Sequence, residues 1–474
     1  RGAAMKNRIS PHRIFVILFW IALWQLAGMV IQNDIIFAGP ADVVRSLSLL
    51  LPSAEFWISI IHSFGKITLG FAAAFIAGIL LGSLAFRFHL LRELLEPLML
   101  LAKSIPVASF VILALIWIGS SGLSVFISFL VVFPILYVNT IAGLESTDLR
   151  LKEMALVFHV SLPRRIRFIY LPALMPYLIS SCKIALGMSW KSGIAAEVIG
   201  VPSHTIGENL YMAKIYLATP DVFAWTIVII LVSALFEKFF LQLIIWMKKK
   251  NEQYQPKIGL QRASALQNED SGEENVLSSG SKSSPPTPAS ASGLYKAYGE
   301  LPVLKHLDLS FAPVGVYCLM APSGAGKTTL LRILLGLEKP DSGQVQIPSP
   351  VTTVFQENRL CDAFSPLDNV LMAAGKSLDR QTAYSELCRL LPEEAILRPS
   401  STLSGGMKRR VAIARALLAP SQAIIMDEPF TGLDEETKQT VIDYVKEKTA
   451  GKLLLITTHQ EEEAAALGGQ IVRI

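Results

Sequence analysis

The chain has 474 residues, enough for two or three domains. Apolar residues make up 52% of it and charged residues 17%, a balance too apolar for a single soluble protein of this size. The net charge of +5 gives no argument for a nucleic-acid partner. The four cysteines, Cys182, Cys318, Cys361 and Cys388, show no C-x-x-C spacing, which argues against a zinc site or a disulfide framework and suits a reducing cytosol.

Arg1 to Ala4 precede Met5 and read as an expression remnant, with 1–13 as a short cytoplasmic N-terminus. Six apolar stretches follow, near 14–31, 67–86, 98–118, 123–143, 174–200 and 222–246. Each is long enough to cross a hydrocarbon core of ~30 Å as a helix. Gly and Pro interrupt some of them, which spans tolerate where neighbouring helices cover the freed backbone. The first stretch is long for the apolar part of a signal peptide, and no A-x-A site follows it. With the N-terminus in the cytoplasm, fourteen lysines and arginines fall on inner segments. The outer segments 32–59, 119–122 and 201–221 hold only Arg45 and Lys214. That asymmetry supports six spans with both ends inside.

The long inner segment, 144–172, contains "KEMALVFHVSLPRRIRFIYLP". Read blandly, the segment is a basic amphipathic loop on the lipid surface. In the fifth stretch, Lys183 and Lys191 place ammonium groups where they are costly. They either line a path for an anion or serve structure. In the structural reading Lys183 pairs with Glu197, ~40° away on the same helical face.

Residues 251–292 are rich in Ser, Pro and Gly and read as a flexible tether. From 293 onward, short apolar strands alternate with helical stretches, an α/β pattern. "VGVYCLM" reads as a buried strand, "APSGAGKTT" as a loop and "LLRILLGL" as a helix. A strand, a glycine-rich turn and a helix N-terminus make a phosphate cradle, the P-loop. Its residues are Ala321, Pro322, Ser323, Gly324, Ala325, Gly326, Lys327, Thr328 and Thr329. Lys327 reaches the β and γ oxygens of ATP, and Thr328 ligates Mg²⁺. Ala321 replaces the first glycine of the pattern. It costs ~1 kcal/mol if that position needs a positive φ, and almost nothing otherwise. Downstream, the strand "AIIMDEP" ends in Asp427, suited to holding Mg²⁺ through water, and Glu428, placed to polarise the attacking water. His459 ends the strand "KLLLITTH", within reach of a γ-phosphate.

"LSGGMKRR", residues 403–410, carries the wider resemblance: from 293 to 474 the chain resembles the ABC ATPases. Ser404, Gly405 and Gly406 match their signature after Leu403, with Met407 in place of the commoner glutamine. The resemblance implies that Tyr298 stacks on adenine, although Tyr295 competes for that role and either tyrosine could be core. It implies that Gln356 is the Q-loop glutamine, a Mg²⁺ contact and sensor, that Asp434 belongs to the D-loop, and that His459 is the switch histidine. Gln356 and Ser404 are 48 positions apart, so the helical subdomain should be small, and the 15 residues after His459 leave no room for a regulatory domain.

The 144–172 segment resembles the EAA loop of ABC importer permeases. Glu153, Ala155, Ile169, Leu171 and Pro172 stand in register, and His159 stands at the usual glycine. The resemblance implies that this position ends one short helix in a left-handed conformation, which histidine visits more readily than most residues, with Ser161 placed to cap the second helix and Pro163 in its first turn. The resemblance makes this the coupling helix that docks near the Q-loop. "KSIPVASFVILALIWIG", "GMSWKSGIAAEVIG" and "PDVFAWTIVIILVSALFEK" resemble the permeases for nitrate, sulfonate, taurine and bicarbonate, a group that also includes thiamine-precursor permeases. The expected fold is an α-helical transmembrane domain of six spans (14–250), type I importer-like, fused to an α/β P-loop ABC ATPase domain (293–474). The expected function is ATP-driven import by a homodimer in the bacterial inner membrane, with a separate extracytoplasmic solute-binding protein. An ABC exporter half-molecule would need helices reaching far into the cytoplasm, and the first inner loop here is about ten residues. A non-transporting ABC machine would need a large outer domain or fewer spans, and the outer loops are short.

Overall fold

The computed structural model describes residues 11–31, 33, 35–252, 288–322 and 324–474. Most of the expected N-terminal segment and tether, and Ser323, lie outside the described residues. The chain divides into two compact units. One comprises 1–146 and 173–248, the other 147–172 and 249–474.

The first unit is helical. It contains α1 (Pro11–Ile31), α2 (Pro40–Leu50), α3 (Ala54–Arg87), α4 (His89–Ser104), α5 (Val107–Ile118) and α6 (Ser120–Glu145). After the segment carrying α7 (Leu149–Val157) and α8 (Leu162–Arg165) come α9 (Leu171–Gly200), α10 (Ile206–Ile215) and α11 (Thr219–Glu252). Among the described residues, α1, α3, α6, α9 and α11 are long and apolar enough to cross a membrane. The expected span at 98–118 falls on the pair α4 and α5, bent by 109°, so the described residues hold five straight candidate spans, or six if this pair crosses as one. Pro106 is the cause of the bend. It forces Ile105 into extended backbone (φ −68, ψ 126), which ends α4.

α3 packs closely on α6 because it carries small residues every fourth position, Gly70, Ala74, Gly78 and Gly82, all buried. A Cβ at Gly70 would sit 2.3 Å from the Val125 carbonyl oxygen, and one at Gly78 2.7 Å from the Leu136 Cβ. Glu197 on α9 is fully buried and accepts hydrogen bonds from the Ser63 hydroxyl (2.7 Å) and the Gly207 amide (3.3 Å). It therefore pins the start of α10 to α3, and the alternative pairing with Lys183 is corrected. Fourteen residues on one straight helix put the two side chains ~21 Å apart along its axis, whatever face they share. Lys183 and Lys191 are exposed on α9.

The second unit holds two sheets. β1 (Ala289–Tyr298), β2 (Leu301–Phe311) and β4 (Ser342–Gln346) form an antiparallel sheet in the order β2-β1-β4. β3 (Gly315–Met320), β5 (Val351–Val354), β6 (Ala423–Asp427), β7 (Leu453–Thr457) and β8 (Gln470–Arg473) form a second sheet in the order β5-β6-β7-β3-β8, with every pairing parallel. β6 and β7 are buried along their whole length, as continuous apolar runs in a parallel sheet require. The first strand begins at Ala289, four residues before the expected domain edge, and α11 runs to Glu252. α12 (Lys327–Leu334) follows the P-loop. α13 (Pro366–Ala374), α14 (Arg380–Cys388) and α15 (Glu393–Ile396) fill the interval before α16 (Gly405–Leu418), a small helical part as its length required. α17 (Glu435–Thr449) and α18 (Glu461–Leu467) complete the unit.

Residues 147–172 lie between two apolar helices in the chain but fold into this second unit. Met154, Ala155, Val157, Phe158, Val160, Phe168 and Ile169 are buried in one cluster with Val354, Phe355 and Phe364. His159 does adopt φ 49. The Val160 amide donates to the Ala155 carbonyl and the His159 amide to the Leu156 carbonyl, both at 3.0 Å, the paired bonds of a Schellman helix end. Ser161 occupies the cap position of α8, but its side chain makes no capping hydrogen bond. The backbone carbonyl of Ser161 instead receives the Arg165 amide.

Candidate functional site

In a parallel sheet the carboxyl ends of all strands point to one edge, and ligands collect there. The order β5-β6-β7-β3 sets four such ends side by side. Gln356 follows β5, Asp427 ends β6 with Glu428 next, His459 follows β7, and the P-loop follows β3. Sequence-distant residues thereby become neighbours.

Gly324 and Gly326 take φ of 85 and 86, which L-residues rarely adopt, and Gly326 caps α12. Ala321 is not among the left-handed non-glycine residues described, so its missing glycine carries no backbone strain. The Lys327 ammonium donates to the Ala321 carbonyl at 2.5 Å and lies 3.3 Å from Nε2 of His459. That same nitrogen is 3.1 Å from a Glu428 carboxylate oxygen. Lys327, His459 and Glu428 thus converge from three strand ends. Glu428 has φ 45, uncommon for a residue with a side chain, and its amide donates to the Thr457 carbonyl and hydroxyl.

Thr328, Gln356 and Asp427 line one cavity of about 200 Å³, together with Arg332, Glu357 and Arg359. Burial pushes the Asp427 carboxyl up, and a 2.6 Å hydrogen bond from the Thr457 hydroxyl opposes this. Hydroxyl, amide carbonyl and carboxylate are the hard oxygen ligands that Mg²⁺ takes, so the residues present fit that ion.

Tyr298 ends β1 and is 50% exposed, so it is not a core residue. Its hydroxyl donates to Glu338 at 2.5 Å, and this bond raises the phenol above its usual range. Tyr295 is only partly exposed and rests against the His306 ring. Ser404 caps α16, its hydroxyl accepting from the Met407 amide at 3.3 Å. Ser404 and Gly405 are exposed and do not line the cavity of Thr328, Gln356 and Asp427. Asp434 caps α17, and the Thr437 amide holds its carboxyl below the usual range. Pro322, Ala325 and Thr329 complete the loop, with the Ala325 amide donating to the Pro322 carbonyl.

Of the EAA-like positions, Ala155 is buried and Glu153 is held by two arginines. Arg332 of α12 donates to one Glu153 carboxylate oxygen at 2.8 Å and to the other at 3.3 Å. Arg359, three residues past Gln356, donates at 2.7 Å. The bonds from Arg332, then those from Arg359, hold the Glu153 carboxyl below the usual range. Glu153 therefore ties the helix of the P-loop to the segment after Gln356.

Arg409 is a further residue of the site, outside the expected set. Its buried guanidinium donates to the carbonyls of Phe355 (2.6 Å), Gln356 (3.1 Å), Asp427 (2.8 Å), Glu428 and Pro429 (2.9 Å). Burial pushes it down to about 10. It joins α16 to the exits of β5 and β6. Arg415, also buried and pushed down to about 10, donates to the carbonyls of Asn358 and Arg359 and lies over the Phe158 ring. The only sequence signal for either was an arginine on the apolar face of a short helix. Thr457, which clamps Asp427, was concealed in an ordinary strand.

Residues 304–431 match the model of the ABC transporter family. Residues 70–245 match that of the binding-protein-dependent transport system inner membrane component. Similar proteins include the aliphatic sulfonates import ATP-binding protein SsuB 1 of Nocardia farcinica, 37% identical over 40% of this chain and 79% of its own length. SsuB 3 of Rhodococcus jostii is also 37% identical, over 40% of this chain and 71% of its own length. The spermidine/putrescine import ATP-binding protein PotA of Legionella pneumophila is 33% identical over 38% of this chain and 54% of its own length. The P-loop, the acidic pair and the signature helix occupy one half of this chain and the apolar helices the other. The chain belongs to the ABC transporter family, with an inner-membrane permease component and a transport ATPase joined in one polypeptide.

Proposed function

We propose that this chain imports a small solute across the bacterial cytoplasmic membrane at the expense of ATP, taking the solute from a separate extracytoplasmic binding protein. The observation that carries the reading is the seating of Glu153 between Arg332 and Arg359. A segment inserted between two apolar helices of the permease ends in a charged grip on the P-loop helix and the Q-loop. A lever of that kind suits an importer with short inner loops. The relatives named for aliphatic sulfonates support an organic anion as solute. A relative named for polyamines matches the same half, so the choice of solute rests on the permease, where Lys183 and Lys191 are the proposed attractors.

Two chains are taken to pair, each ATP lying between Lys327 of one and Ser404 to Gly406 of the other. Exposure of the signature on a single chain supports this. Glu428 orients and deprotonates water, and His459 holds Glu428 and meets the γ-phosphate. Thr328, Gln356 and Asp427 would hold Mg²⁺, which would neutralise charge on the phosphates. Tyr298 stacks on adenine, and Asp434 orders the start of α17 beside the shared site. The proposed division is a membrane domain over 14–250, a tether, and a cytosolic ATPase from the first strand onward.

The test is reconstitution in vesicles with a labelled aliphatic sulfonate. The chain alone should give little ATP-driven accumulation, and adding a cognate binding protein on the outer face should restore it. Strong uptake without a partner would remove the binding protein from the scheme, and ATP-driven expulsion would reverse the direction.

A further inference from the structure

A line of charged hydrogen bonds runs from Tyr298 to the EAA-like segment. The Tyr298 hydroxyl donates to one oxygen of Glu338 at 2.5 Å, and Nε of Arg332 donates to the other at 3.2 Å. The far side of the same guanidinium donates to Glu153 at 2.8 Å, and Glu153 receives Arg359 at 2.7 Å. Glu338 and Glu153 are largely buried, with side chains 18% and 14% exposed, and Arg359 is 9% exposed. Charge-assisted bonds in such surroundings are stronger and more directional than surface ion pairs.

Arg332 is the hinge of this line. Its planar fork is rigid, so a shift of Glu338 at one edge turns the edge that faces Glu153. Glu338 in turn lies within reach of two β1 groups, the Tyr298 hydroxyl and the Lys296 ammonium at 3.7 Å. Any reorientation of the Tyr298 ring pulls on Glu338 through a single short bond. No backbone element has to move for the change to reach Glu153.

We propose that Glu338 and Arg332 form an ionic relay from the base-stacking tyrosine to Glu153, so that segment 147–172 responds to the base of the nucleotide and not to its phosphates alone. The relay rests on the reading of Tyr298 as the residue that meets adenine. Glu338 is a positioning residue in it: it touches no nucleotide and acts through Tyr298 and Arg332. A ligand that carries phosphates without a base would fill the P-loop yet leave the relay at rest.

The experiment uses the full chain in lipid nanodiscs and reads hydrogen–deuterium exchange over residues 149–160. The probes are a non-hydrolysable ATP analogue and inorganic tripolyphosphate, each at saturation with Mg²⁺. In the unaltered chain the analogue should slow exchange by about 10-fold more than tripolyphosphate does, the change expected from one charge-assisted bond. Tyr298→Phe keeps the ring and removes the hydroxyl. It and Glu338→Gln should each reduce the analogue's effect to that of tripolyphosphate, and the double variant should go no lower.

An undiminished response in Glu338→Gln would overturn the relay. So would equal responses to the two probes in the unaltered chain, or faster exchange in Glu338→Gln that is the same with and without ligand, since that is a loosened fold. Tyr298→Ala separates the two layers. If it leaves the affinity for the analogue unchanged, the base-stacking reading fails and takes the relay with it. If affinity falls while Glu338→Gln responds normally, the relay alone fails.

Discussion

Nε2 of His459 lies 3.1 Å from the carboxylate of Glu428. The contact holds the side chain of a residue whose backbone is already confined to φ 45. A carboxylate fixed in this way, one residue past the strand end that carries Asp427, is oriented before any water arrives. Glu428→Gln keeps the shape and removes the base. ATP binding should persist while hydrolysis falls on the order of 10³-fold, ~4 kcal/mol of barrier. Steady-state turnover of the purified variant checks this, and near-normal rates would sink the assignment.

Ala321 has no positive φ to relieve, and its carbonyl already receives Lys327. Ala321→Gly should therefore change turnover and nucleotide affinity by less than ~3-fold. A large gain would mean that the native loop is impaired by something other than backbone strain.

Arg409 satisfies five backbone carbonyls from inside the fold. Arg409→Met would leave buried acceptors without donors, which costs ~1–3 kcal/mol for each one that finds no water. The melting temperature of the ATPase unit should fall by roughly 6–12 °C for a net loss of ~3 kcal/mol. Differential scanning calorimetry reads it. An unchanged transition would show that the carbonyls find other partners.

The grip on Glu153 has a predictable pH dependence. Its carboxyl is held below the ordinary range by Arg332 and Arg359, so the folded value is the lower one. The stabilisation is complete above the ordinary carboxylate range and disappears as pH falls through the depressed value. Protection of residues 149–160 against exchange, corrected for intrinsic rates, should persist through the ordinary carboxylate range and drop only at more acid pH. Glu153→Gln should start lower and lose this acid step. A step at the same pH in that variant would assign it to another group.

Shared ATP sites can be tested by mixing. Lys327→Ala and Ser404→Arg should each inactivate the homodimer. In the mixed dimer one site inherits both defects and the other neither, so some hydrolysis should return. Fully inactive purified heterodimers would count against shared sites that fire independently.

Motifs whose members are close in sequence were legible from the chain alone: the P-loop, the acidic pair after β6, the signature before α16. His159 was legible through the resemblance, because the glycine it replaces in that pattern ends a helix in the left-handed conformation. The bend at Ile105 and Pro106 was missed because average hydropathy does not register direction. Arg409, Arg415 and Thr457 were missed for a different reason. Their partners are backbone carbonyls or a carboxylate from other strands, and backbone acceptors carry no residue code. The Lys183 and Glu197 pairing failed because helical angle was considered without axial rise.

The twenty-six residues 147–172 complete the ATPase unit although they are encoded inside the permease. Dividing the chain at the tether would thus separate the ATPase unit from part of its own core. The C-terminal piece would leave bare the apolar surface that Met154, Ala155, Phe158 and Phe168 cover, and strand Arg332 and Arg359 without their shared carboxylate. Such a fragment would be prone to stick to itself or to any helix able to fill the groove. Covalent fusion would keep the proper occupant at high local concentration from the moment of synthesis, besides matching the number of ATPases to permeases.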